Sequence, residues 1–410
     1  MAQTLYPGPF CRCIEENIKM TYRNYHRKKH QNDSATTIRV VCAIVFVSFS
    51  WCWLYFFQSD LLAMAQHVLS GGLTHYNRFL GALVITIVLV LLQRLIHKLT
   101  LLGKSFYAFT YFPSLLLLGM ITNFVPDGEG GIMHDVSGWV AILLLLIWGG
   151  VVYVSKQLQE LDEDRDTSIF SRSMWVNQLF MVLLMMTTVA IGNTNAVFHY
   201  RMRAEHSLLD GDFERALAAG RKSLECDEHL VMLRMHALAR QGELGERLFE
   251  YKVCGTSKSI LPTDGHAALM LYPADSIFQY IGVVPAHKMT PMHYLKLAQH
   301  HLQLKDSLPH QVVNDYLLSG YLIDKDIDAF AREVGKHYAL NDSLPKHYRE
   351  AMVLYTHLRA RPVAVYQNAV LDEDYDNFRE LRRQYTDKME QKGKVADLYF
   401  GTYWYYYWYE

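Results

Sequence analysis

The stretch VVCAIVFVSFSWCWLYFFQS, residues 40–59, contains 20 consecutive residues without a charged side chain. A helix needs about 20 mostly apolar residues to cross the ~30 Å hydrocarbon core of a bilayer. Its aromatic residues Trp51, Trp53 and Tyr55 lie in the second half, and such amphipathic rings favour the headgroup layer. We therefore predict that this stretch is a transmembrane helix.

Four further apolar runs follow before residue 200. Together with the first, they predict spans at about 40–59, 79–96, 105–125, 136–155 and 174–196. Five such runs in succession leave no polar face for water, which argues against a large soluble helical core. The sequence thus predicts an all-α protein whose residues 40–200 form a multi-pass transmembrane domain of about five spans.

Basic residues alternate between the two sides of these spans. The N-terminal segment, residues 1–39, is rich in Lys and Arg, as are the second and fourth loops, whereas the first loop up to Asn77 and the third loop contain none. The positive-inside rule then places the N-terminus in the cytoplasm, and five crossings place residues 201–410 outside. Without a cleavable signal peptide, the first span is expected to act as an uncleaved signal anchor.

Beyond Tyr200 the pattern becomes that of a water-soluble helical domain, residues 201–410. The segment GDFERALAAGRKSLECD, residues 211–227, resembles the second half of a tetratricopeptide repeat. Gly211-Asp212 is expected to break the chain between two helices, and the whole domain is expected to be a tetratricopeptide-like α-solenoid. The chain closes on the aromatic run YWYYYWY, residues 403–409, which we expect to be buried, either on the last helices or in the outer headgroup layer.

Few residues suggest chemistry. The common nucleotide-binding, zinc-protease and hydrolase motifs do not occur, so we assign no cofactor and no metal. Cys226 and Cys254 would both face an oxidising compartment, and whether they pair stays open. The weak catalytic candidates are Asp60, His67 and His75, because polytopic glycosyltransferases that use lipid-phosphate sugars carry an acidic residue in their first outer loop. Asp60 alone is also well explained as a helix boundary.

Four pieces of the chain resemble an uncharacterised family of multi-pass membrane proteins from Bacteroidales. They are QSDLLAMAQHVLSGGLTHYNR (58–78), DYLLSGYLIDKDIDAFA (315–331), DSLPKHYREAMVLYTHLR (342–359) and GTYWYYYWY (401–409). The resemblance implies a bacterial inner membrane and a periplasmic C-terminal half. It implies no activity, because the family is a domain of unknown function.

The function these features favour is non-catalytic. We expect a membrane-anchored scaffold whose helical-repeat domain binds a protein partner, since solenoids present extended binding surfaces. The alternative is a reduced glycosyltransferase-like enzyme acting on an envelope glycan, with Asp60 as catalytic acid or base; a transporter subunit is a third, weaker interpretation. Membrane lipids are expected neighbours. Nucleic acid is not expected, because 40 Lys+Arg are balanced by 41 Asp+Glu.

Overall fold

The computed structural model describes residues 35–126, 131–161, 172–263, 269–305 and 310–410. Most of the basic N-terminal segment therefore lies outside the described residues. The contacts divide the chain into two compact units, which we call the N-terminal unit and the C-terminal unit. The N-terminal unit contains the chain up to Ala63, His75–Val125 and Met133–Thr194; the C-terminal unit contains Met64–Thr74, Pro126–Ile132 and Asn195–Glu410.

The first part of the chain is helical apart from one short strand pair. Its elements are α1 (Ala35–Phe57, with a π-helical end at Trp53–Phe57), α2 (Ser59–Leu69), α3 (Arg78–Thr100), a 3₁₀-helix (Lys104–Tyr111), α4 (Phe112–Ile121), β1 (Phe124–Pro126), β2 (Ile132–His134), α5 (Gly138–Leu161) and α6 (Arg172–Ile191).

The second part consists of helices and connecting loops, with no strand among its described residues. Its elements are α7 (Ala196–Leu209), α8 (Phe213–Ala218), α9 (Glu228–Gln241), α10 (Leu244–Arg247), 3₁₀ turns (Leu248–Glu250 and Ser257–Ser259), α11 (Ala274–Ile281), α12 (Pro291–Lys305), α13 (His310–Ile323), α14 (Ile327–His337), α15 (Lys346–Leu358), α16 (Ala369–Gln384), α17 (Lys388–Tyr399) and α18 (Tyr403–Tyr409).

Among the described residues, four helices are long and apolar enough to cross a membrane: α1, α3, α5 and α6. Only between 11% and 28% of the apolar window of each is buried inside the protein. Large aliphatic side chains on the outer faces of these helices are exposed; Leu146, for example, is 70% exposed. Apolar surface on this scale calls for a non-aqueous neighbour. The helices are thus consistent with the predicted membrane protein.

The third predicted span, 105–125, differs from the others because it is not one continuous α-helix. A 3₁₀-helix covers Lys104–Tyr111, with a non-helical residue at Phe106, and α4 starts afresh at Phe112. Pro113 stands in the first turn of α4, where its missing amide hydrogen costs nothing. Helical rises of about 2.0 and 1.5 Å per residue give the two pieces a joint length of about 31 Å.

This two-piece segment runs parallel to α6 along the whole length of that helix. Near the start of α6, the Asn177 side chain donates to the carbonyl of Lys104 at 2.7 Å and accepts from the amide of Ala108 at 2.7 Å. At the far end, the amide of Asn193 donates to the carbonyl of Thr122 at 2.8 Å. The segment therefore covers the same distance as a helix that is long enough to span a bilayer.

The neighbouring helix α3 runs in the opposite direction to this segment. The Ser114 hydroxyl in α4 donates to the Leu89 carbonyl in α3 at 3.0 Å, and the Gln93 amide in α3 donates to the Thr110 hydroxyl at 2.9 Å. Later residues of α3 therefore meet earlier residues of the segment. Helix α5 also packs against the segment, since Trp148 donates to the carbonyl of Phe109 at 2.8 Å.

The C-terminal unit is held together by a hydrophobic cluster that extends from Ala204 in α7 to Tyr406 in α18. The expected chain break at Gly211-Asp212 is confirmed: Gly211 has φ +73°, and the Asp212 carboxylate accepts from the amide of Arg215 to cap α8. However, α8 has only six residues, because the backbone becomes extended at Ala219. The described residues 196–218 therefore form a long and a short helix joined by this turn.

The aromatic run at the C-terminus forms α18, which packs against α15 and α17. Trp404 is 1% exposed and donates its indole N–H to the carbonyl of Glu350 at 2.8 Å. Tyr406 donates its hydroxyl to the carbonyl of Ile323 at 2.8 Å. Of the two burials expected for this run, the structure shows packing on the protein's own helices.

Candidate functional site

The acidic candidate, Asp60, lies in the first turn of α2 and is 1% exposed. Its Oδ1 accepts from the Arg78 guanidinium at 2.7 Å, and Arg78 is the first residue of α3. A carboxylate at the start of a helix is also favoured by the helix dipole. The geometry therefore gives Asp60 a structural role: it neutralises Arg78 and ties α2 to α3.

The two histidine candidates occupy different settings. His67 lies on α2, and its carbonyl accepts from the amide of Gly72 at 2.8 Å. Gly72 has φ +81°, and a Cβ there would lie 3.3 Å from the His67 ring, so glycine suits this turn on both counts. His75 is exposed, between α2 and α3. Asp60 and His67 are seven residues apart on one helix, a rise of about 10 Å, which is too long for a direct hydrogen bond.

Within the residues that the structure describes, no group of three or more His, Cys, Asp or Glu side chains could hold a metal ion. Two buried carboxylates of the C-terminal unit accept hydrogen bonds from backbone amides. Glu205 is fully buried and accepts from the consecutive amides of Met270, Leu271 and Tyr272 at 2.8, 2.6 and 3.2 Å. Glu350 accepts from the amide of Tyr403 at 2.7 Å. Both bind chain segments to helices, which is a packing role.

A cavity of about 240 Å³ lies between α1, α3 and the 3₁₀-helix. Arg39, Gln93, Arg94 and Tyr107 are among its lining residues. The Arg39 guanidinium stands 5.8 Å from the centre of the Tyr107 ring, a cation–π distance. The sequence analysis did not single out this site, because residues 55 apart in the chain meet only in the tertiary structure.

Two thiols of the C-terminal unit, Cys226 and Cys254, lie side by side and share a hydrogen bond. That hydrogen bond, and then the cations Lys252 and Arg234, hold the pKa of Cys226 below its ordinary value. The same hydrogen bond, together with burial, raises the pKa of Cys254. A low-pKa thiol beside a second thiol is the arrangement found at reactive cysteine pairs.

Residues 361–368 form an irregular segment between α15 and α16, with bends at Arg361, Val363 and Ala364. Tyr366 anchors it, since this side chain is 3% exposed and donates to the Asp342 carboxylate at 3.0 Å. The amide of Val363 also donates to the Tyr355 hydroxyl at 3.1 Å. Val363 and Val365 are 76% and 48% exposed. The segment thus displays two aliphatic side chains from a backbone that is hydrogen-bonded to the C-terminal unit.

Comparison with known proteins adds one match, to this same half of the chain. Residues 295–410 are similar to a family of unknown function, DUF6057. The match begins in α12 and ends with the last residue, and it contains three of the four pieces on which the resemblance to an uncharacterised family rested. No curated protein and no solved structure matches the chain. The DUF6057 region includes α18, the Val363–Val365 segment and Glu350.

Proposed function

We propose that this protein is a membrane-anchored scaffold whose C-terminal unit binds a protein partner outside the cytoplasm. The observation that carries the proposal is the anchored segment 361–368, where Val363 and Val365 are exposed to solvent while hydrogen bonds to Tyr355 and from Tyr366 hold the segment to the unit. Neighbouring aliphatic side chains on an anchored segment suit a binding surface, because an anchored backbone loses less conformational entropy on association. Arg361, exposed in the same segment, favours a partner that carries a carboxylate beside its apolar surface.

The position of charge supports the proposed orientation. Basic residues of α1, α3, the 3₁₀-helix and α6 lie toward one end of the N-terminal unit: Arg39, Arg94, Lys98, Lys104 and Arg172. Arg78 stands at the opposite end, and Asp60 neutralises it at 2.7 Å. Five alternating segments would place the N-terminus in the cytoplasm and residues 201–410 in the bacterial periplasm. The proposed repeat character of the C-terminal unit rests on its stacked helices and on the sequence of residues 211–227.

The orientation depends on whether the two-piece segment Lys104–Ile121 crosses the membrane. If it does, the chain crosses five times and its ends lie on opposite sides; with only α1, α3, α5 and α6 crossing, both ends share one side. A reporter that is active only in the periplasm, fused after Glu410, should be active. Activity of a cytoplasmic reporter at the same position would contradict five crossings.

Crosslinking in native membranes, followed by affinity purification and mass spectrometry, tests the binding surface. The double variant Val363→Asp and Val365→Asp should lose the specific crosslinked protein while the melting temperature stays near that of the wild type. Leu224→Asp is the matched control, because Leu224 is 75% exposed elsewhere in the same unit. If the double variant crosslinks as well as the control, the segment is not the binding surface.

The glycosyltransferase alternative depends on Asp60. Its ion pair with Arg78 accounts for this residue without catalysis, and this favours the scaffold. Replacing Asp60 alone would leave Arg78 without its carboxylate, so the test compares Asp60→Asn with the double variant Asp60→Asn and Arg78→Gln. Full complementation of a deletion strain by the double variant would remove the enzyme hypothesis. Loss of an envelope glycan at normal protein levels would support it.

A further inference from the structure

The cavity between α1, α3 and the 3₁₀-helix has a cationic and an apolar wall. Arg39 and Arg94 provide the cationic side, while Val40 and Val47 on α1 belong to the apolar side. The two valines are 50% and 39% exposed, so the cavity is continuous with the outer surface of α1. On a helix that spans a membrane, that surface faces lipid acyl chains.

The two guanidinium groups carry charge that the neighbouring protein does not balance. Among the residues that the structure describes, no Asp or Glu forms an ion pair with Arg39 or with Arg94. Two like charges that line one cavity repel each other, and a bound anion removes this repulsion. Guanidinium is also the side chain best matched to phosphate oxygens, because its fixed N–H groups donate in pairs.

The remaining polar groups of the cavity are fixed in position. The Gln93 amide donates to the Tyr107 hydroxyl at 3.2 Å and to the Thr110 hydroxyl at 2.9 Å. The Tyr107 ring in turn holds the Arg39 guanidinium at 5.8 Å. Gln93 and Tyr107 are therefore ordered before an anion binds, whereas the exposed Arg39 and Arg94 side chains can turn toward it. The volume of about 240 Å³ is several times the ~30 Å³ of a water molecule, so the site admits a group larger than a simple ion.

We propose that this cavity binds the phosphate group of an anionic phospholipid, with the acyl chains lying along Val40 and Val47. Arg39 and Arg94 stand at the end of the bundle where the basic residues collect, which the proposed orientation places at the cytoplasmic headgroup layer. Basic pockets between transmembrane helices on that side are suited to anionic headgroups. The inference rests on the membrane location within the proposed function and is independent of the protein partner.

The test uses the full-length protein in a neutral detergent, with thermal unfolding and native mass spectrometry as readouts. Phosphatidylglycerol should raise the melting temperature and remain bound in the gas phase, whereas phosphatidylcholine should do neither. Inorganic phosphate distinguishes the source of the phosphate: equal stabilisation by inorganic phosphate would overturn the assignment to a lipid. Equal effects of the two phospholipids would overturn the role of the headgroup charge.

Variants then locate the site. Arg39→Gln and Arg94→Gln should each weaken the binding of phosphatidylglycerol about tenfold, as expected for the loss of a charge-assisted hydrogen bond. Lys98→Gln is the matched control, since Lys98 is exposed near the same end of α3 and does not line the cavity. If Lys98→Gln weakens binding as much as either arginine variant, the whole basic end attracts the lipid and the pocket is not the site.

A second variant keeps the proposal falsifiable if the arginine variants fail to fold. Ala43→Phe retains both charges but fills part of the cavity, because Ala43 lines it. It should weaken phosphatidylglycerol binding about as much as the loss of one arginine. Unchanged binding in Ala43→Phe would overturn the assignment of this cavity. A negative result for the lipid site would leave the crosslinking test of the Val363–Val365 segment unaffected. The lipid proposal and the scaffold proposal can therefore be tested independently.

Discussion

The N-terminal and C-terminal units both bury apolar side chains, but they differ in what they leave exposed. The membrane-length helices of the N-terminal unit expose large aliphatic side chains, such as Leu146 at 70%, while Asn177 and Thr188 are fully buried. In the C-terminal unit, Tyr316 and Trp404 are at most 1% exposed. In water, apolar burial drives folding, but lipid is as apolar as leucine, so helices in a bilayer associate through close packing and polar contacts. The exposed aliphatic faces are consistent with a non-aqueous neighbour for the N-terminal unit.

The largest expected effect is on the aromatic core of the C-terminal unit. Trp404→Ala should lower the free energy of unfolding by about 3–5 kcal/mol, because it leaves a cavity beside Tyr375 and Phe378. Trp408→Ala is the matched control on the same helix: Trp408 is 38% exposed and lies over Arg382, so its loss should cost about 1 kcal/mol. Denaturation of the full-length protein in detergent, followed by near-UV circular dichroism, measures both. Equal costs would contradict a packed role for α18.

The thiol pair tests the compartment of the C-terminal unit. In an oxidising compartment Cys226 and Cys254 should form a disulfide that stabilises the unit by about 3 kcal/mol, since it closes a loop of roughly 30 residues. Maleimide labelling at these two positions in the protein from native membranes, located by peptide mass spectrometry, should then require prior reduction, and Cys226→Ser should abolish this requirement at Cys254. Free labelling of both thiols without reductant would place the unit in a reducing compartment and contradict the orientation.

We expect the free energy of unfolding of the C-terminal unit to depend on pH through Asp315. Burial raises the pKa of this carboxyl to about 6, although it accepts hydrogen bonds from Tyr338 and Tyr348. Because the folded pKa is above the unfolded value, the contribution of Asp315 to stability is full below about pH 4 and is lost as the pH rises through about 6. The loss is at most about 3 kcal/mol. Asp315→Asn should flatten this part of the pH–stability curve, and an unchanged slope would exclude Asp315 as its source.

The smallest effect is expected in the N-terminal unit. Asn177→Ala removes side-chain hydrogen bonds to Lys104, Ser105 and Ala108, and at about 0.6 kcal/mol for each such bond in a membrane protein the cost is about 2 kcal/mol. Leu146→Ala, on the outer face of α5, should change stability by less than about 0.5 kcal/mol. Unfolding in mixed micelles measures both. A larger cost for Leu146→Ala than for Asn177→Ala would mean that the unit buries apolar surface as a water-soluble protein does.

The sequence predicted the elements whose signal is local. The apolar runs near 40–59, 79–96, 136–155 and 174–196 correspond to α1, α3, α5 and α6, because length and hydropathy alone identify a helix that suits lipid. The turn at Gly211-Asp212 was predicted for the same reason, since a positive φ and a side-chain cap are properties of adjacent residues. The burial of residues 403–409 was expected because seven consecutive aromatic side chains have no polar face.

What only the tertiary structure decided depends on residues that are distant in the chain. Hydropathy could not show that Lys104–Ile121 is two helical pieces, and only its contacts with Asn177 and Asn193 show that it runs beside the whole of α6. Asp60 could be a catalytic acid in the sequence, and its ion pair with Arg78, 18 residues away, supplies the structural explanation. Likewise Arg39 and Arg94 share a cavity only because α1 and α3 pack together. A local pattern is enough to predict a helix, because the hydrogen bonds of a helix join residues four apart in the chain. A site depends on which faces of different helices meet, and only the tertiary packing determines this.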